Sequence, residues 1–169
     1  MVFRYFKKII YLIYRKTAPV SFARHIGVKV GDNCRLIDVD FGSEPWLISL
    51  GSHVSATNVS FITHDGGVWV FRDTNPDIDV IRPITVGDNV FIGHGSVIMP
   101  GVMIGNNVVI GAGSVVTRDI QSGFVAAGVP AKVVKSVDEY YEKIMTNFDL
   151  TKNMHIDEKK IYYLTKYHF

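Results

Sequence analysis

Among the six histidines of the chain, His64 has the surroundings for chemistry. It lies in Phe61-Ile62-Thr63-His64-Asp65-Gly66-Gly67, where a regular pattern gives way to the long irregular run 65–83. An imidazole held between a rigid scaffold and a loop is suited to take a proton from a hydroxyl, because histidine titrates near neutrality. His25, His155 and His168 read as surface residues, and His53 as a corner residue with nothing beside it. Asp38, Asp40 and Glu44 cluster in the run DVDFGSEPW. Carboxylates so placed can hold sugar hydroxyls, orient a histidine or stand solvated in turns, and spacing leaves the three readings open. Cys34 has no adjacent base or cation to favour its thiolate and reads as a small buried coil residue.

The scaffold for these residues is a repeat. From Val86 in steps of six come Val86, Ile92, Ile98, Ile104, Ile110 and Val116, all β-branched, and Gly87, Gly93, Gly105 and Gly111 follow four of them. Four places after each aliphatic stand Val90, Ser96, Val102, Val108, Ser114 and Ile120, small or aliphatic throughout. A period of six fits neither a helix at 3.6 nor a flat strand at 2. It describes short straight pieces joined by tight corners, where glycine and Asn89, Asn106 or Asn107 can take positive φ. Such hexapeptide periodicity predicts an all-β chain, a parallel β-helix whose coils stack and pair backbone to backbone. The pattern starts near Val30, resumes at Leu50 and ends after Lys135, so 30–135 is the coiled domain. The run 65–83, with Trp69, Phe71 and Arg72, is a flap inserted between two coils, and loops of that length are usually functional. The coil Leu50–Ile62 is about one residue short of the regular pattern.

The ends differ from the repeat. Residues 1–16 carry Arg4, Lys7, Lys8, Arg15 and Lys16 and no acid, with Phe3, Phe6, Ile10 and Ile13 at helical spacing. Lysines interrupt the apolar run and no clean cleavage site follows, which argues against a signal peptide. Within the N-terminal arm 1–29, two readings remain for residues 1–16: a helix packed on the end of the coil stack, or a basic helix lying on anionic lipid. At the other end, Ser136-Val137-Asp138-Glu139 has capping-box spacing and opens a tyrosine- and lysine-rich helical extension, 136–169, expected to cover a coil edge.

Over 169 residues the chain is 47% apolar and 20% charged, with a net charge of +2. That is ordinary globular composition for one domain with appendages. No basic stripe with interleaved aromatics points to nucleic acid. A lone cysteine excludes an internal disulfide framework and fits a reducing compartment, so a cytoplasmic protein is expected, with the basic arm able to reach the inner face of the membrane. No stretch approaches the roughly 20 apolar residues of a membrane span.

The residues Phe61–Gly67, Ile84–Gly93, Val108–Thr117 and Ala126–Lys132 together resemble the hexapeptide-repeat acetyltransferases. The similarity is strongest to the branch with capsular-polysaccharide and sugar O-acetyltransferases and with the galactoside and maltose enzymes. It covers 30–135. The resemblance implies a left-handed parallel β-helix, an exception to right-handed crossovers, a homotrimer with active sites between subunits, and acetyl-CoA as donor without a metal. It further implies His64 as catalytic base and the backbone N–H of His94 as oxyanion donor. Coenzyme contacts fall on His94, Ala112, Thr117 and Arg118, with Lys132 and Lys135 at the phosphates, where the family often has arginine. Acceptor contacts align roughly with Asp38 and Glu44, and the flap adds Trp69 and Arg72. The expected reaction is O-acetylation of a sugar hydroxyl, in surface polysaccharide synthesis. The alternatives are an amino-sugar N-acetyltransferase or serine acetyltransferase and, more remotely, a γ-type carbonic anhydrase or an idle scaffold. For the carbonic anhydrase, Met99 stands where a second zinc ligand beside His94 is needed.

Overall fold

The computed structural model describes residues 11–169, and the chain divides into two units, Met1–Asp138 and Glu139–Phe169. In the first unit, short strands lie on three faces of a coil. The first face holds β1 (Lys29–Val30), β3 (Ile48–Leu50), β6 (Ile84–Val86) and β9 (Met103–Ile104). The second holds β2 (Arg35–Ile37), β4 (Val54–Thr57), β7 (Val90–Ile92), β10 (Val108–Ile110), β12 (Phe124–Gly128) and β13 (Ala131–Ser136). The third holds β5 (Ser60–Phe61), β8 (Val97–Ile98) and β11 (Val115–Val116). Neighbours pair in parallel, as the repeat predicts, except for an antiparallel β12–β13 hairpin that ends the second face. That hairpin is absent from the six-step pattern. β13 carries the coiled domain to Ser136, one residue past the expected boundary.

Partners in successive upper coils, 86 with 104, 92 with 110 and 98 with 116, are 18 residues apart, three six-residue sides to a turn. All six aliphatics of the column are at most 2% exposed. The second slot is as well buried, with Ser96 at 1% and Ser114 at 0%. Each serine hydroxyl donates to the carbonyl of Gly111, so the buried oxygens are satisfied. Cys34 is half-buried and belongs to a different corner, its Sγ 3.2 Å from the Gly51 carbonyl.

The corner residues divide their work differently from the sequence expectation. Asn89 and Asn107 do take positive φ, joined by Asn33, His53 and Asn58. Asn106 does not, and its side chain instead accepts from the Asp88 amide at 2.8 Å. The glycine after each aliphatic has a steric reason: a Cβ on Gly51 would lie 2.7 Å from the Gly87 carbonyl carbon, and one on Gly87 2.9 Å from that of Gly105. Glycine there lets one coil settle on the next. His53 has company after all, its Nδ1 2.7 Å from Asn89 Oδ1, and Asn89 donates on to Asn107.

Residues 11–17 are helical and α1 (Pro19–His25) follows. Ala23 joins the buried core of the coil, Phe22 is buried beside the Tyr11 and Tyr14 rings, and Arg24 donates to the carbonyls of Val30 and Gly31. α1 lies past residues 1–16, to which the two readings apply. Tyr11, Leu12 and Ile13 are exposed. Arg4, Lys7, Lys8, Phe3, Phe6 and Ile10, on which the lipid reading leans, lie outside the described residues. No helix among the described residues is long and apolar enough to cross a membrane.

The extension holds two helices where one was expected: α2 (Val137–Met145), which begins beside Ser136, and α3 (Ile156–Lys166). Within Glu139–Phe169, Asp149 accepts from Lys166 at 2.6 Å and from Tyr162 at 2.7 Å. The Lys166 bond, then the Tyr162 bond, holds the Asp149 carboxyl below its ordinary pKa, and Asp149 holds the Lys166 ammonium above its own.

Candidate active site

His64 stands at the corner where the third face turns toward the first. Its backbone forms an antiparallel bridge with Ile81. On either side, Asp65 donates to Val80 and Arg82 donates to Thr63, both at 2.8 Å. The return leg of the flap thus clamps the histidine to the coil. The flap itself is a 3-10 turn, Gly66–Phe71, started by Asp65, whose carboxylate accepts from the Gly67 amide.

One coil below lies Glu44. The lowest turn is 20 residues long, pairing Val30 with Leu50 and Asp40 with Ser60, and that offset carries position 44 to position 64. Glu44 Oε2 lies 3.2 Å from His64 Nδ1 and also accepts the hydroxyl of Thr63 at 2.5 Å. Thr63 is fully buried. The Thr63 hydroxyl holds the Glu44 carboxyl below its ordinary pKa; partial burial opposes this and the hydrogen bond and charge of His64 assist. An ionised Glu44 puts the proton on Nδ1 and leaves Nε2 as a lone-pair acceptor. The histidine side chain is 40% exposed.

Ser43, Glu44, His64, Asp65, Val68, Trp69, Arg72 and Asp79 line a hollow of about 260 Å³. Glu44, Trp69 and Arg72, expected on the acceptor side, are therefore gathered at His64. Trp69 is 77% exposed, and Arg72 is tied to the Pro76 carbonyl at 2.7 Å. Asp65 and Asp79 were not singled out by the sequence. Asp38 does not join this group. It takes φ +49 at the opposite corner and lines a separate hollow with Arg15 and Lys16.

The expected coenzyme residues fall on two corners. Strand register stacks Asp38, Asn58, His94 and Ala112 where the second face meets the third. The Asn58 amide group is 3.4 Å from the His94 ring, and the Gly113 amide donates to the His94 carbonyl. Thr117 and Arg118, exposed, follow β11 onto the His64 corner. Lys132 and Lys135 lie on the terminal hairpin, opposite Ala127 and Val125. About five extended residues at ~3.3 Å separate the two corners by roughly 15 Å across the third face. In one chain the His94 amide and the His64 ring therefore stand on separate corners. The coil is also one residue short at Asn58–Ser60: Ala56 pairs 36 residues ahead and Ser60 pairs 37 ahead. Among the described residues no three histidine, cysteine or acidic side chains converge as metal ligands.

Residues 83–118 match the family described as bacterial transferase hexapeptide (six repeats). The CapG protein of Staphylococcus aureus is 50% identical over 165 residues, covering 95% of this chain and 96% of its own. A maltose O-acetyltransferase structure from Clostridium difficile superposes with a TM-score of 0.57 at 31% identity, over 79% of this chain and 85% of that one. A hexapeptide-repeat acetyltransferase from Vibrio cholerae, solved with acetyl coenzyme A, gives 0.56 at 27% identity over 65% and 60%. With these neighbours the coil is a left-handed parallel β-helix.

Proposed function

The chain belongs to the hexapeptide-repeat acetyltransferases, and from that premise we propose that it carries acetyl from acetyl-CoA to a saccharide hydroxyl, with His64 as general base. The observation that carries this reading is the Glu44–His64 pair at the rim of the flap-covered hollow. Nε2 of His64 takes the acceptor's hydroxyl proton as that oxygen attacks the thioester carbon. Collapse of the tetrahedral adduct breaks the C–S bond and expels the coenzyme thiolate, which the imidazolium reprotonates. No covalent enzyme intermediate is required. The backbone N–H of His94 steadies the developing oxyanion, and Ala112, Thr117, Arg118, Lys132 and Lys135 line the path of the coenzyme. The maltose enzyme and the acetyl-CoA complex among the neighbours support the choice of donor and of acceptor class.

Since His94 and His64 occupy different corners of one chain, the site is completed by a second copy whose His94 corner faces the first copy's His64. Such a head-to-tail contact closes on itself in a ring, and we assign a homotrimer. Asp38, on the His94 corner, then reaches the acceptor from the neighbouring copy, while Glu44, Trp69 and Arg72 act from the copy that supplies His64. The cytoplasm is the assigned compartment, with the basic stretch 1–16 toward the inner face of the membrane and a surface-polysaccharide unit as acceptor. A thiol-release assay with acetyl-CoA against sugar, amino-sugar and serine acceptors tests the reading. Turnover with sugar hydroxyls is expected, and release only with amines or serine overturns it.

A further inference from the structure

Thr63 touches neither the hollow nor solvent, yet its hydroxyl ends on the same carboxylate oxygen that faces His64. Two donors on Oε2 fix both the rotamer of Glu44 and the direction from which it meets Nδ1. Glu44 precedes the turn Pro45–Leu47 and its side chain is only 18% exposed, so the carboxylate has little room to leave these donors. Thr63 itself is immobile, with its carbonyl accepting from Arg82 and its neighbour Ile62 bonded to the Ile98 carbonyl. A buried hydroxyl on a rigid strand end is thus the fixed point from which the pair is aimed.

We propose that Thr63 is a positioning residue for this acetyltransferase, its hydroxyl locking Glu44 so that His64 presents an unprotonated Nε2 to the acceptor. The inference rests on His64 being the base, and it adds a third member buried behind the pair. The ionisable groups around the pair are Asp65, Arg72 and Asp79, all lining the hollow. Among the described residues Thr63 and His64 are the side chains bonded to Oε2, so the Thr63 hydroxyl is the side-chain tie that aims the carboxylate at Nδ1.

The test is Thr63→Val, nearly isosteric without the hydroxyl, beside Thr63→Ser, which restores it. The valine variant is expected to lose at least about tenfold in kcat, short of the ~10²–10⁴ set by loss of the base. KM for acetyl-CoA should stay within about threefold, and the low-pH loss that belongs to Glu44 should move upward as its carboxylate loses a charge-assisted bond. The serine variant should recover most of the rate. In ¹⁵N-histidine spectra His64 should be Nδ1-protonated in the wild type and in the serine variant, and a tautomer mixture in the valine variant. An unchanged tautomer and rate in Thr63→Val overturns the proposal. If valine prevents folding, Thr63→Ala, which cannot overfill the site, is read by the same two measurements with the same expected and overturning results. Should His64→Ala turn over normally, the base assignment fails, while the tautomer spectra still decide whether Thr63 sets the imidazole.

Discussion

At the scale of single residues, His64→Ala removes the proposed proton acceptor and should lower turnover by about 10²–10⁴ while coenzyme binding persists. Stopped-assay kinetics with calorimetric titration of coenzyme check this, and near-normal turnover removes His64 from the mechanism. Glu44→Gln keeps the shape and loses the charge, with an expected drop of about tenfold or more in kcat. Because the Glu44 carboxyl sits below its ordinary value, its support for the pair is complete above the usual carboxylate range near 4.3 and is lost as pH falls through that lowered value. Activity lost at higher pH than this belongs to another group. The motif around His64 could be read from the sequence, but its pairing with Glu44 could not. Extending the 18-residue turn downward sets Glu44 beneath Ile62, whereas the lowest turn is two residues longer and sets it beneath His64. Thr63 gave no signal, since its hydroxyl matters only once that register is known.

At the scale of elements, the column of aliphatics makes one hydrophobic core from pieces too short to stand alone. Ile98, 0% exposed in the middle of it, should cost about 2–5 kcal/mol on Ile98→Ala, read as a lower denaturation midpoint with activity per folded molecule retained. The flap answers differently. Trp69, mostly exposed above the hollow, should on Trp69→Ala raise acceptor KM more than donor KM, and equal changes would mean that the flap does not touch acceptor. The Asp149–Lys166 bond belongs to the C-terminal unit. Its carboxyl side contributes above the usual aspartate range and is lost as pH falls through the depressed value. Its ammonium side is complete below the usual lysine range and is lost as pH rises through the raised one. Asp149→Asn should speed amide exchange across α3 at neutral pH. The repeat was legible here because one rule governs each coil. The β12–β13 hairpin and the break between α2 and α3 were not, because each arises where that rule stops: at the turn Gly128–Ala131 and within 146–155.

At the scale of the whole molecule, an inactive His64→Ala chain and a chain blocked at the other corner by Ala112→Trp should regain activity when refolded together, since mixed rings contain intact sites. Light scattering should report three copies. Failure of every mixture to recover would place both halves of the chemistry within one chain. The pairing of Leu50 with Val86 has a last consequence. Those strands are 36 residues apart, two full turns of the regular coil, although only one turn separates them in the stack. The detour through Trp69 therefore leaves and rejoins the spiral in phase. A different excursion could be spliced in where this one leaves and rejoins without disturbing a single rung, so on the proposed reading preference for the acceptor can drift through this segment while the coil itself stays as it is.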